Sequence, residues 1–269
     1  MITFPNAKIN LGLYITEKRS DGYHNLASCF LPIAWQDALE IIPATEFALS
    51  VSGLPVEGNI GNNLCYNAYQ ILNEKHQIAP VHIFLHKAIP MGAGLGGGSA
   101  DAAFTLKMLN QIFELQLSPS HLAEYASQLG SDCTFFIENT PKFCYEKGDK
   151  MRSISLHQLL GKQIVLVYPN FGISTQEAYA GVQPRANNFD LQQRLEQSPL
   201  VDWKNWLEND FERHLFKKYH LLAEIKQNLY QHGALYAAMS GSGSTIFGIF
   251  DKKIDLSSFS SYTCWQGSL

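Results

Sequence analysis

Residues 7–15 alternate between apolar and polar positions. Ile9, Leu11, Leu13 and Ile15 fall on one side and Lys8, Asn10, Gly12 and Tyr14 on the other. A period of two is that of a half-buried strand, so Lys8 and Asn10 are expected to share the face away from the apolar stripe. After the turn pair Asp21-Gly22, short apolar segments near 37–43, 47–52 and 81–85 read as further strands. Asn62-Asn63 stands where a cap would open a helix carrying Leu64, Ala68, Ile71 and Leu72. Ser99 is followed by Ala102, Leu106, Leu109 and Phe113 near one helical face. Another helix opens at Ser118-Pro119, carries Leu122, Tyr125, Ala126 and Leu129, and stops at Gly130.

In the second half, strand patterns near 142–147 and 163–168 flank a Gly148-Asp149-Lys150 turn. Ser174-Thr175-Gln176-Glu177 has the form of a capping box, and a helical pattern spans about 214–230 with Leu221, Leu222, Ile225 and Leu229. Two apolar segments are separated by Ser240-Gly241-Ser242-Gly243-Ser244. Strands and helices without a regular βαβ rhythm predict an α+β fold. The polar stretch from about 148 to 160 is the expected boundary, giving domains of residues 1–152 and 153–269.

With 269 residues, 46% of them hydrophobic, the chain can bury roughly three-quarters of its unfolded surface, which excludes global disorder. A net charge of −4 lacks the basic excess of a phosphate-tracking nucleic-acid binder, so no nucleic-acid partner is expected. Cys29, Cys65, Cys133, Cys144 and Cys264 are odd in number and widely spaced, with no C-x-x-C pair, and read as ordinary thiols in a reducing compartment. The start of the chain has no basic-then-apolar leader, and no stretch approaches the ~20 apolar residues of a membrane span. A cytoplasmic, soluble protein with no membrane partner is the expectation.

The richest glycine cluster, Pro90-Met91-Gly92-Ala93-Gly94-Leu95-Gly96-Gly97-Gly98-Ser99, joins a strand to a helix. Consecutive glycines let backbone N–H groups approach an anion, and the helix start adds unpaired N–H groups and the positive end of its dipole. A flexible tight connection is the competing reading. The run lacks the Gly-Lys-Ser/Thr ending of a Walker A loop. Gly92, Gly94 and Gly97 satisfy G-x-G-x-x-G, but no acidic residue ends a following strand at the distance a dinucleotide site requires.

Three segments together resemble the GHMP kinases: Pro5-Asn6-Ala7-Lys8-Ile9-Asn10-Leu11-Gly12-Leu13, the loop from Pro90 to Ser99 with Ala100-Asp101-Ala102, and Met239-Ser240-Gly241-Ser242-Gly243-Ser244. Further segments resemble the branch of that superfamily that phosphorylates a cytidine diphosphate-linked methylerythritol in the non-mevalonate route to isoprenoids. They are Asp21-Gly22-Tyr23-His24-Asn25-Leu26, Asn62-Asn63-Leu64, Gly130-Ser131-Asp132 followed by Phe135-Phe136, and Asn209-Asp210-Phe211-Glu212. The resemblance implies a two-domain α+β fold, with a ribosomal-protein-S5-like N-terminal domain, a ferredoxin-like C-terminal domain, and ATP and substrate in the cleft between them. It also implies transfer of the ATP γ-phosphate to the 2-hydroxyl of the small-molecule acceptor, by a monomer or weak homodimer. Another GHMP kinase, acting on a sugar, homoserine or a mevalonate-type acceptor, is the alternative. Two departures stand out: Cys133-Thr134 follows Asp132 where relatives often have valine and proline, and Ala100 replaces a common second serine.

By this resemblance Asp132 accepts the hydroxyl proton, and Lys8 holds that carboxylate ionised and stabilises the γ-phosphate, the minimum set for phosphoryl transfer. A helix cap and a solvated strand lysine are their bland counterparts. Gly92, Gly94, Leu95, Gly96, Gly97, Gly98 and Ser99 would hold the ATP phosphates, with Ser99 the contact for Mg2+. Asn63 and Lys87 are carried over to the adenosine end, where a helix cap and a surface lysine explain them equally. His24 would contact the edge of the cytosine and Tyr23 stack on one face. Tyr179, beyond Thr175, would cover the other face or be a helical core residue. Asn10 would bond the acceptor's hydroxyls. Ser240–Ser244 would line the cleft or form a plain hairpin turn.

Overall fold

The computed structural model describes residues 1–56, 59–185 and 189–269. In chain order the elements are β1 (Ile2–Thr3), β2 (Asn6–Lys18), β3 (His24–Gln36), β4 (Ala38–Pro43), β5 (Ala48–Gly53), α1 (Leu64–His76), β6 (Val81–Lys87), α2 (Gly97–Ile112), α3 (Pro119–Leu129) and α4 (Phe135–Glu138). There follow β7 (Lys142–Glu146), β8 (Lys150–Ser153), β9 (Gln163–Tyr168), α5 (Thr175–Ala180), α6 (Leu191–Gln197), α7 (Glu212–Lys218), α8 (His220–Gln231), β10 (Tyr236–Met239), β11 (Ile246–Phe250) and β12 (Thr263–Ser268). They form two compact units. One gathers residues 1–7, 35–91 and 96–140, and the other residues 8–34, 92–95 and 141–269.

The first unit contains a sheet in the order β1-β4-β6-β5 and the helices α1 to α4. Register pairs Ile41 with Ile83 and Leu39 with Leu85, and these four residues are buried as one apolar stripe. Each such side chain removed from water is worth about 1.5–3 kcal/mol. Asn63 caps α1 by accepting from the Cys65 N–H, and Ser118 caps α3 ahead of Pro119, as the sequence pattern predicts. The buried face of α2 includes Ala100, Ala102, Ala103, Leu106 and Leu109, whose small residues permit close approach by neighbouring helices.

The second unit holds two sheets, β2-β3-β7-β8 and β10-β11-β9-β12, with α5 to α8. Ile164, Val165, Leu166 and Val167 of β9 are all fully buried, because this strand lies between β11 and β12 with both faces covered. Val165, Val167, Leu222, Ile225, Leu229 and Ile246 belong to its core.

The sequence patterns do not foretell β1, β8, α6 or β12, and three further elements differ from expectation in an informative way. β2 is not half-buried: every residue from Asn6 to Ile15 is buried, including the polar face of Lys8 and Asn10. Polar partners cover that face, which a two-residue period cannot reveal. The helix expected over 214–230 is two helices broken at Tyr219, whose backbone lies at φ −120°, ψ 77°. Tyr219 donates its hydroxyl to Glu177 at 2.6 Å and lays its ring against Phe171, contacts that lie outside the reach of helical periodicity. Finally, β3 runs for 13 residues where the sequence reading had no strand, since Ser28 and Pro32 interrupt its alternation. Among the described residues no helix is long and apolar enough to cross a membrane.

Candidate active site

The glycine loop is tied down by its carbonyls. Gly92 O accepts from Ile173 N at 3.3 Å, Ala93 O from Thr245 N at 3.2 Å, and Leu95 O from Lys8 N at 2.8 Å. Gly94 O accepts from the Ser240 hydroxyl at 2.8 Å. Four consecutive carbonyls are thus held by three segments of the second unit, the strand of Lys8, the turn from Ser240 to Thr245 and the stretch at Ile173, so the loop presents amide N–H groups as its remaining polar groups. Gly94, at φ +75°, has no room for a side chain: a Cβ there would lie 2.0 Å from the Ser240 carbonyl oxygen. The next residues enter the first unit, where α2 starts after a left-handed Gly96 with no side-chain cap. Within the first unit, an uncapped helix start offers unpaired N–H groups to an anion such as a phosphate.

Beside this helix start, the first unit has a cavity of about 440 Å³ walled by Leu54, Asn63, Lys87, Met91 and Gly98, among others. It therefore joins three of the sequence-predicted nucleotide residues. Asn63 spends its side-chain oxygen on the α1 cap, which leaves the amide NH2 as its ligand-facing donor. Lys87 is not a surface lysine. Its side chain is 1% exposed, and Nζ is ion-paired with Asp37 and, at 2.7 Å, with Asp101. Burial works against its charge, but Asp101 and Asp37 outweigh it and raise its pKa.

Asp37 also accepts from the N–H groups of Ala88 at 2.6 Å and Ile89 at 2.8 Å. Asp101 Oδ1, by contrast, is buried with no hydrogen-bond partner among the described residues. Burial pushes the Asp101 carboxyl up to about 7, against the lowering by Lys87 and helped by the Asp37 charge. Both acids are buried, but Asp37 has donors on both oxygens while Asp101 leaves Oδ1 unpartnered, so Asp101 is the half of the pair that holds a proton below about pH 7. Neither aspartate was assigned a role from the sequence. Two acids 64 residues apart, flanking a lysine, carry no local signature.

Asp132 lies half-buried in the turn between α3 and α4. Its neighbour Cys133 lies close enough to Ser99 for the hydroxyl to act on its thiol, so the first unit brings the loop serine and the Asp132 turn together. Burial raises the Cys133 thiol to about 11, and it stays neutral beside the aspartate. Gly130 is the C-cap of α3 and Asp132 does not cap it.

In the second unit, Lys8 Nζ donates to Asn10 Oδ1 at 2.7 Å and stands 4.5 Å over the Phe30 ring. Asn10 N donates to Ser240 Oγ at 3.4 Å. The Ser240 hydroxyl therefore bridges the strand of Lys8 and Asn10 to the glycine loop. The segment from Asn209 to Glu212 buttresses the same place. Asn209 Nδ2 donates to Met239 O and Gly241 O, both at 2.8 Å, Asp210 accepts from Ile15 N, and Glu212 accepts from Met239 N. Phe30 and Ser28 lie on β3, the strand absent from the sequence reading, and were missed with it.

The aromatic residues of this unit adopt a definite arrangement. Tyr23 is 63% exposed beneath the Lys147 ammonium. His24 is stacked on Tyr179 with centroids 5.0 Å apart, and Tyr179 packs edge-on against Phe211. Thr175 is the exposed first residue of α5, behind the Ser174 cap. Burial and the Lys18 charge lower the His24 pKa, so its imidazole is neutral at pH 7. Among the described residues no three His, Cys, Asp or Glu side chains form a metal cluster.

Known proteins share this chain's sequence and its fold. Residues 63–139 match the family model for the N-terminal domain of GHMP kinases, and residues 191–261 that for the C-terminal domain. The chain is 52% identical to the 4-diphosphocytidyl-2-C-methyl-D-erythritol kinase of Cytophaga hutchinsonii over 94% of its own length and 93% of the relative's. It is 49% identical to the enzyme of the same name from Bacteroides fragilis over the whole of both chains. A crystal structure of 4-(cytidine 5'-diphospho)-2C-methyl-D-erythritol kinase superposes with a TM-score of 0.81 at 28% identity, covering 100% of this chain and 98% of that one. The chain belongs to the GHMP kinases and, within them, to the 4-diphosphocytidyl-2-C-methyl-D-erythritol kinase family.

Proposed function

We propose that this protein transfers the γ-phosphate of ATP to the 2-hydroxyl of 4-diphosphocytidyl-2-C-methyl-D-erythritol. The observation that carries the kinase chemistry is the glycine loop, with four carbonyls tied back and its amides left to grip phosphate. Family membership supports the choice of acceptor. The division into domains at residues 152 and 153 belongs to the same reading, since the two family matches lie on either side of it.

In this mechanism the acceptor oxygen attacks the γ-phosphorus as the bond to the β-phosphate oxygen breaks, and ADP departs. Asp132 orients the hydroxyl and takes its proton as the new bond forms, because the acceptor oxygen becomes acidic enough to release it only as it bonds to phosphorus. Lys8 supplies positive charge to the transferring phosphoryl group. The amides of Gly92 to Gly98 and the Ser99 hydroxyl hold the phosphates. Mg2+ would arrive on the nucleotide and neutralise phosphate charge, with Ser99 as its protein contact. One hydroxyl, with no acidic cluster among the described residues, suits a metal carried by its ligand better than a resident one. The adenosine end occupies the cavity of Asn63 and Lys87, with Asn63 Nδ2 donating to the base. Neutral His24 reads the cytosine edge, Tyr23 offers a ring face, Asn10 meets the acceptor, and Thr175 and Tyr179 border the cytidine end. The protein acts in the cytoplasm, as a monomer or weak homodimer.

The test is a kinase assay with ATP, Mg2+ and a panel of alcohols: the cytidyl-diphospho acceptor, homoserine, mevalonate and galactose. Turnover of the first alone, inhibited competitively by CMP, supports the assignment. Turnover of another acceptor without CMP sensitivity replaces it with a different GHMP activity.

A further inference from the structure

A directed chain of hydrogen bonds runs behind Lys8. Lys8 Nζ donates to Asn10 Oδ1 at 2.7 Å, Asn10 Nδ2 donates to Ser28 Oγ at 2.8 Å, and Ser28 Oγ donates to Gly12 O at 2.6 Å. All three side chains are buried, with Lys8 4%, Asn10 2% and Ser28 0% exposed. The order of donors follows from their chemistry. An ammonium can only donate, so Asn10 must offer it the amide oxygen and send its NH2 the other way. That NH2 needs an acceptor, and Ser28 is one because its single proton is spent on Gly12. Gly12 lies at φ +68°, and a Cβ there would come within 2.4 Å of Leu207, so this terminus of the chain is held by backbone that only glycine adopts without strain.

We propose that Ser28 is a positioning residue for phosphoryl transfer: it fixes the Asn10 amide, and through it the Lys8 ammonium. This rests on the role given above to Lys8. Without the Ser28 hydroxyl, the Asn10 NH2 is a buried donor with its acceptor gone. The amide is then no longer anchored at the angle that aims its oxygen at the ammonium, and the Lys8 bond to Asn10 loses its fixed direction. The Phe30 ring, 4.5 Å from Nζ, attracts the ammonium without giving it a direction, whereas the Asn10 oxygen gives one.

Steady-state kinetics with ATP and the cytidyl-diphospho acceptor test this on the wild type, Ser28→Ala, Ser28→Thr, Asn10→Ala and the Asn10→Ala/Ser28→Ala double variant. Losing a hydrogen bond that holds a charged group predicts a kcat lower by about 10- to 100-fold in Ser28→Ala, with the KM for ATP little changed. Ser28→Thr, which keeps the hydroxyl, recovers most of it. In the Asn10→Ala background, Ser28→Ala changes kcat by less than about threefold, because the intermediary is already gone. Wild-type kcat in Ser28→Ala, or an equal loss in both backgrounds, overturns the proposal. An inactive wild type instead defeats the functional reading on which it rests. Should Ser28→Ala fail to fold, Ser28→Cys, with a weaker acceptor, carries the same comparison.

Discussion

The Ser240 hydroxyl donates to the Gly94 carbonyl at 2.8 Å, and the same oxygen receives the Asn10 N–H at 3.4 Å. One buried side chain thereby joins the strand of Lys8 to the loop assigned to the phosphates. Ser240→Ala removes both bonds and leaves a buried carbonyl and a buried N–H unpaired, at a cost of about 1–3 kcal/mol. Thermal melting should show a lower Tm, and the KM for ATP should rise several-fold. An unchanged ATP KM in a destabilised variant would separate the staple from nucleotide binding.

Asp101 makes stability depend on pH in a definite direction. Its pKa is raised to about 7 in the folded protein, above the ~3.9 of an unfolded chain, so the folded state binds the extra proton between those values. The resulting stabilisation is complete below pH ~3.9 and is lost as the pH rises through about 7. In denaturant titrations at pH 5.5 and 8, Asp101→Asn should lose less stability across that interval than the wild type. An identical or steeper loss in the variant contradicts the protonated Asp101.

Asp132 and Lys8 have distinct roles in the proposed transfer, and their variants should show it. Asp132→Asn should lower kcat by about a hundredfold or more, with ATP affinity measured by calorimetry nearly intact. Lys8→Met should lower kcat by a similar order, since it removes charge at the transferring group. Wild-type turnover in either variant would take that residue out of the chemistry.

The cysteines are shielded from modification. Four of the five are buried and Cys264 is partly so. Burial raises Cys133 and Cys264 each to about 11, and raises Cys29 and Cys65 as well. Thiolate is the reactive form, so maleimide at pH 7 should label the folded protein slowly and leave activity intact, whereas all five label after denaturation. Rapid loss of activity with labelling at Cys133 would show that the Ser99 contact opens.

Much of this architecture was legible along the chain, and for identifiable reasons. Asn63, Ser118 and Ser174 are caps because a side-chain oxygen beside a helix start acts within three residues. The glycine loop announced itself through composition, since few other demands concentrate so many residues without a Cβ. Asn63, Lys87 and Gly98, which the sequence sets at the nucleotide, line one cavity. What stayed hidden is long-range. Ser28 looked like an interruption of a strand, and Lys87 like a surface lysine, until Asn10, Asp37 and Asp101 came into place around them.

The order of residues by itself determined many of the strands and helices, β3 and the break at Tyr219 excepted, along with the helix caps and the backbone that can approach an anion, because those properties depend on side chains a few positions apart. Tertiary structure alone decided that the polar face of β2 is buried, which aspartate keeps a proton, and which way the Asn10 amide points. Each depends on solvent exclusion and on donors meeting acceptors brought together from distant parts of the chain, as when Ser240 reaches Gly94 across 146 positions.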